Sequence, residues 1–259
     1  MYNVDRISTR AGMAIGHCVA RLGRTAMKRI AAVVSVVVLA FTFVRSAKAQ
    51  NDVPVVPVLK APYHLPVFKN EYVTMANIYI PPGGHSGYHK HTGESVSVNV
   101  EEADMLNQEL GDPDFKPAPR QLAGHVNYID YRPKPRIHQV VNAGPTAFHN
   151  ILLIFDKPTG LAPSSRADVP SYQQVLDNHC ARAWSLKLDP GQSVAAITQQ
   201  APGIRVIVKG GQIVESVPGQ PDRPMNPKLG EFYWQEAGVT RSIRNIGNTP
   251  VEFVEFELK

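Results

Sequence analysis

Turn-forming residues recur in this sequence at an interval of a little over one hundred positions, and that repeat limits what the chain can fold into. Asn70 is matched by Asn178, and Pro82-Gly83 by Pro190-Gly191, both at an offset of 108. Gly124 falls on Gly230, and residues 142–149 (NAGPTAFH) fall on 245–252 (NIGNTPVE) at an offset of 103. A repeat of this length is a duplicated domain, because solenoid units run to roughly 20–50 residues. Each copy is long enough to close a core of its own.

Inside each copy the apolar pattern has the period of strands. Tyr72 to Ile80 reads as a strand ended by Pro81-Pro82-Gly83-Gly84, and Ser95 to Val100 alternates polar and apolar. Val126 to Tyr131, Ile137 to Val141 and Phe148 to Phe155 follow. The pattern restarts with Ala183 to Leu188, Arg205 to Val208, Gln212 to Val217, Phe232 to Trp234, Arg241 to Ile246 and Val251 to Leu258. No stretch sustains a 3.6-residue apolar period, although Ala103 to Leu110 is compatible with one or two helical turns. Short strands separated by turn signals indicate an all-β sandwich or barrel. Gly210-Gly211, between two expected strands, reads as a hairpin turn. Residues 156–171 (DKPTGLAPSSRADVPS) read as a linker, or as an arm lying over the surface. Residues 50–63 read as an extended arm, its prolines suited to edges.

The first 49 residues have a different character. Met27-Lys28-Arg29 precedes an apolar run from Ile30 to Val44, followed by Ser46-Ala47-Lys48-Ala49-Gln50. A basic start, a short apolar segment and a small-x-small site form the secretory pattern, with cleavage expected after Ala49 and translation starting at Met1 or Met27. The apolar run is shorter than a membrane span requires, so no stable span is expected after processing. The expected location is the periplasm or the exterior. Of 27 basic and 22 acidic residues, eight basic ones and one acid lie in this leader, leaving the body at a net −2. That removes the electrostatic footprint of a nucleic-acid binder. Cys18 lies in the leader, so only Cys180 remains in the body and no intrachain disulfide staples it.

Chemistry concentrates in residues 83–94 (GGHSGYHKHTGE). His89 and His91 are two apart, so on a strand their imidazoles share a face. His138, 47 residues after His91, adds a third imidazole on a later strand. Neutral nitrogen donors on separate strands are what a rigid transition-metal site needs.

The run Gly83-x5-His89-x-His91, then Glu94, then Pro135-x-x-His138-x3-Asn142 resembles the two motifs of the cupin superfamily. The resemblance covers residues 64–156, with a degenerate version over 172–259 and a linker at 157–171 between them. It implies two tandem jelly-roll β-barrels, a bicupin. It also implies one divalent metal (Fe, Mn, Zn, Ni or Cu) in the first barrel, held by His89, His91, His138 and a glutamate. The family's glutamate follows the second histidine by four or five positions, whereas Glu94 follows His91 by three and Ser95 stands nearer the expected place. Two readings stay open: Glu94 as fourth ligand, or Glu94 turned outward.

In the second copy His89, His91 and His138 fall on Ile197, Gln199 and Arg241. Arginine offers no lone pair to a metal, so no metal site is expected there. Thr198, Gln199 and Arg241 are left either as a polar ligand pocket or as part of a structural barrel. His85 and His125 are read as loop or rim residues; His64, His149 and His179 lack ligand spacing; Tyr88, Tyr128 and Tyr131 suit core or edge packing as well as acid/base work.

Three functions follow from the resemblance. The first is an exported enzyme of oxygenase, isomerase or decarboxylase type acting on a small molecule. The second is a non-catalytic periplasmic carrier of a small acid or sugar, and the third a barrel whose histidines serve structure. A homodimer is expected from the resemblance alone.

Overall fold

The computed structural model describes residues 53–259; the expected signal segment lies outside them. The first repeat contains β1 (Val56–Pro57), β2 (His64–Lys69), β3 (Val73–Ile80), β4 (His89–His91) and β5 (Glu94–Asn99). It continues with β6 (Met105–Glu109), β7 (Lys116–Pro117), β8 (Val126–Asp130), β9 (Arg136–Asn142) and β10 (Phe148–Phe155). The second holds β11 (Tyr172–Asp177), β12 (Ala181–Leu188), β13 (Ser193–Thr198), β14 (Gly203–Lys209) and β15 (Ile213–Ser216). It ends with β16 (Arg223–Met225), β17 (Phe232–Gln235), β18 (Thr240–Asn245) and β19 (Val251–Leu258). Among the described residues no helix is long and apolar enough to cross a membrane.

Two sheets form each barrel, and the strand order repeats. The first barrel pairs the sheet β2-β3-β10-β5-β8 with β1-β4-β9-β6-β7; the second pairs β11-β12-β19-β14-β17 with β13-β18-β15-β16. Adding nine to each strand number of the first barrel generates the second, β1 excepted. All pairings are antiparallel except that of β1, which joins β4 in parallel with Val56 beside His89. The amino-terminal arm is thus a strand of the barrel, not a free extension. Chain crossings between facing sheets give the jelly-roll form.

The repeated residues perform repeated tasks. Asn70 Oδ1 accepts the backbone N–H groups of Tyr72 and Val73, and Asn178 Oδ1 those of Cys180 and Ala181. Asn142 Nδ2 donates to the Ile80 and Thr146 carbonyls while its Oδ1 accepts from Gly144; Asn245 does the same with Leu188, Thr249 and Gly247. Asn142 and Asn245 are fully buried, where an unmet amide would cost a few kcal/mol, so they fix the turns that close each barrel.

The outer face of one sheet from each barrel forms their common seam. Val73, Met75, Val96, Ile151 and Leu153 pack with Ala183, Ile204, Val206, Val254 and Phe256 in one fully buried cluster. At roughly 1.5–3 kcal/mol per buried large aliphatic or aromatic side chain, this is a core rather than a contact between independent bodies.

Three expectations need correction. Residues 105–109 are strand β6, not a helical turn: β6 lies between β7 and β9, and tertiary pairing overrides its weak helical pattern. Gly210-Gly211 does not make a hairpin, because β14 and β15 lie in opposite sheets. The glycines carry the chain across between sheets, and a Cβ on Gly210 would stand 2.3 Å from the Pro227 carbonyl oxygen. Of the two readings of residues 156–171 the free linker gives way to the arm, which is anchored on the second barrel through Ser164 and Arg166, both buried.

Candidate metal centre

β4 is only three residues long, and its alternation sends His89 and His91 into the first barrel while Lys90 points out. β9 runs antiparallel beside it, with His89 directly opposite His138. The three imidazoles therefore converge, their donor atoms within 4.8 Å of one another, and His91 Nε2 lies 3.0 Å from His138 Nε2.

Two of the outer nitrogens are already engaged. His89 Nδ1 donates to the Gly87 carbonyl at 3.0 Å, and His138 Nδ1 to Asn107 Oδ1 at 2.6 Å, which leaves both Nε2 atoms with free lone pairs. Asn107 is held in turn by Arg136, whose guanidinium donates to Asn107 Oδ1 at 2.9 Å and to Glu109. Burial, the largest cause, lowers the affinity of all three imidazoles for protons: His89 to about 4 and His91 to about 3, with His138 lower still. Near neutrality all three are uncharged, the state a metal ligand needs.

The site opens into a cavity of about 650 Å³. Its walls alternate apolar side chains (Ile78, Ile80, Met105, Phe148, Leu152) with amides (Asn99, Asn127, Asn150, Gln121), and among the described residues no Asp or Glu lines it. Lys116, Arg120 and Arg136 stand at its walls, and Tyr131 lies with its ring centroid 4.8 Å from that of His91.

Glu94 is not brought to the three histidines. On β5 the alternation sends Ser95, Ser97 and Asn99 into the cavity and Glu94, Val96 and Val98 toward the second barrel. Position 94 thus falls on the outward face of β5 and position 95 on its cavity face. The Glu94 carboxylate instead accepts from Tyr128, from Arg132 at 2.9 Å and from His179 at 2.5 Å.

The second barrel answers the sequence alignment in register. Ile197 faces Arg241 as His89 faces His138, and Gln199 bonds Val239 where His91 faces Arg136. The polar pocket expected at Gln199 and Arg241 is closed. The space they line is about 10 Å³, the size of one water. Arg205, Glu255, Glu215 and Arg166 fill it: Arg205 donates to Glu255 at 2.6 Å and to Glu215 at 2.7 Å, and Arg166 contacts Glu255.

His64 and Asn107 belong to the site although spacing did not mark them. The His64 ring centroid lies 4.8 Å from that of His89, and its Nδ1 is tied to the Pro62 carbonyl. His125 also reaches the cavity wall, whereas His85 packs on Phe115 and bonds the Gly87 N–H. His149 sits at the seam, bonded to Asn77.

No protein-family model matches the sequence, and no curated protein matches it. Solved structures do. AerE from Microcystis aeruginosa is similar at 13% identity and a TM-score of 0.52, over 77% of this chain and 98% of that one. Salicylate 1,2-dioxygenase from Pseudaminobacter salicylatoxidans matches at 11% identity and a TM-score of 0.52, over 75% of each chain. Oxalate decarboxylase from Lactobacillus farciminis, in a formate complex, matches at 11% identity and a TM-score of 0.50, over 73% of this chain and 77% of that one. The chain has the bicupin fold. At such identities the likeness is one of fold, and the chemistry of this chain rests on its own residues.

Proposed function

We propose that the first barrel is a mononuclear metal centre for a small organic anion, with His89, His91 and His138 as the ligands. The observation that carries this is the convergence of three neutral imidazoles on one point of a cavity whose described lining holds no carboxylate. The donor set fits a divalent first-row ion: nitrogen ligands, outer nitrogens fixed by Gly87 and Asn107, and no competing carboxylate. When bound, such an ion supplies Lewis-acid or redox chemistry to a ligand beside it.

The chain's own groups do the rest. The cavity amides orient a polar ligand, and the apolar wall receives its hydrocarbon part and excludes water. Arg136, Lys116 and Arg120 are each paired with an acid outside the lining, Glu109, Asp112 and Glu102, so the positive charge of the ion itself is what favours a carboxylate. Tyr131 stands against His91, placed to hold or pass a proton at its hydroxyl. An oxygenase or isomerase activity on such a molecule is the reading we adopt, with export through the leader of residues 1–49. The solved relatives of the same fold include a dioxygenase complexed with gentisate and a decarboxylase complexed with formate, both carboxylates, which supports this ligand class.

Metal analysis of the purified, untagged protein tests the reading. The wild type is expected to hold close to one ion per chain more than a His89→Ala/His91→Ala variant that keeps its β spectrum. A folded wild-type protein that holds no iron, manganese, nickel, copper or zinc at this site would overturn it. Full metal occupancy with ligand binding and no turnover of aromatic or aliphatic carboxylic acids would shift the assignment to a carrier.

A further inference from the structure

The glutamate that the first site does not use has partners of a different kind. Glu94 is buried, and its carboxylate faces the turn between β11 and β12 of the second barrel, where His179 and Cys180 lie side by side. The carboxylate oxygen, an imidazole nitrogen and the thiol sulfur all lie within 4.8 Å of one another. We propose that Glu94, His179 and Cys180 form a second metal site, for a zinc-class divalent ion, that ties the two barrels together.

The turn that carries two of these donors is held in place. Asn178 Oδ1 accepts from the Cys180 N–H at 2.9 Å and the Ala181 N–H at 3.0 Å, which pins the backbone beneath both ligands. Asn70 makes the same cap in the first repeat, but the residues it presents are Glu71 and Tyr72. The cap therefore belongs to the fold, and the His-Cys pair is particular to the second copy. In the same way the His89/His91 pair is particular to the first.

Donor chemistry distinguishes the two sites. Thiolate, imidazole and carboxylate together suit zinc, with a fourth position left for water. On binding, the Cys180 thiol proton passes to solvent, and the 2.5 Å contact between His179 and Glu94 gives way to bonds from both to the ion. One thiolate and one carboxylate then balance a divalent charge. Arg132, which also touches Glu94 at 2.9 Å, is not stranded, because Asp130 accepts from its Nε and Nη2, both at 2.8 Å. His179 is 62% exposed and has freedom to turn toward the ion, while Glu94, only 5% exposed, supplies the fixed point.

The test uses cobalt(II) as probe in the reduced full chain carrying Cys18→Ser, His89→Ala and His91→Ala. Cys180 is then the one thiol, and the three-histidine site lacks two ligands, so failure here is separable from failure of the first site. One equivalent of cobalt should bind with a thiolate-to-metal charge-transfer band that zinc abolishes, and zinc should raise the thermal midpoint. Cys180→Ser should remove the band, and His179→Ala and Glu94→Gln should each weaken binding by about tenfold or more. His179→Ala truncates an exposed side chain and keeps the test valid if Glu94→Gln fails to fold. No band at millimolar cobalt, or a band whose affinity is unchanged by His179→Ala, overturns the proposal.

Discussion

Gly230 of the second barrel lies against His149 of the first: a Cβ built on Gly230 would stand 2.0 Å from His149 Cε1. The imidazole cannot step aside freely, since its Nε2 is bonded to Asn77 Oδ1 at 2.9 Å and Glu101 lies near its Nδ1. Gly124, which occupies the matching position in the first repeat, faces Glu252 and Val208 of the second barrel, and both glycines have positive φ. The duplicated glycines thus let each barrel's backbone approach the other.

Gly230→Ala should therefore cost more than backbone strain. Gly219 has nearly the same φ, +78° against +79°, but nothing within 4 Å of its Cβ position, so Gly219→Ala isolates the strain, about 1–2 kcal/mol. Gly230→Ala should exceed it by roughly 1–3 kcal/mol, the usual cost of overpacking. Equal denaturant midpoints for the two variants would show that the seam adjusts without penalty.

Asn107 offers a test of the metal centre that leaves its ligands in place. It fixes His138 by accepting from Nδ1, and losing such a partner typically weakens metal binding by about 10–100-fold. Asn107→Leu should show that loss in chelator competition, with the β spectrum unchanged. Asn107→Asp, which keeps an acceptor, should recover most of the affinity.

Much of this was legible because it rests on local rules. The duplication showed in Asn70/Asn178, Pro82-Gly83/Pro190-Gly191 and Asn142/Asn245, where turn chemistry admits few residues, and the strand pairing follows the same offsets. His89, His91 and His138 were marked by strand parity. Asn107 was hidden because its segment lacks a clear strand period and owes its conformation to pairing with β9. His64 was hidden because β2 brings it to His89 through sheet packing, which spacing along the chain does not encode. Arg166 sits in a Pro- and Ser-rich stretch whose composition says loop, and only the buried acids of β19 explain why an arginine belongs there.

Arg166 can itself be tested. It lies 4% exposed, bonded to Glu255 and, at 3.0 Å, to Glu257, and stacked 4.2 Å from the centre of the Trp184 ring. Removing one partner from a buried ion network strands the others, so Arg166→Met should destabilise the protein by about 3–5 kcal/mol in denaturant unfolding.

The same network sets an acid limit on the fold. Burial alone would raise the pKa of Glu255, but Arg205 and Arg166 outweigh it and hold the carboxyl down to about 2. Tyr172 also donates to Glu255, while Glu215 and Glu257 share the two arginines and Arg241 lines the same void. A carboxyl whose folded pKa lies below its unfolded value gives stability that is complete above the unfolded pKa, near 4.5, and is lost as pH falls toward 2. The denaturant midpoint of the metal-stripped protein should therefore fall steeply between about pH 4.5 and 2. Glu255→Gln should start from a lower midpoint at pH 7 and show a shallower fall over that range. A parallel slope in the variant would mean that other carboxylates, not the buried network of the second barrel, govern acid unfolding.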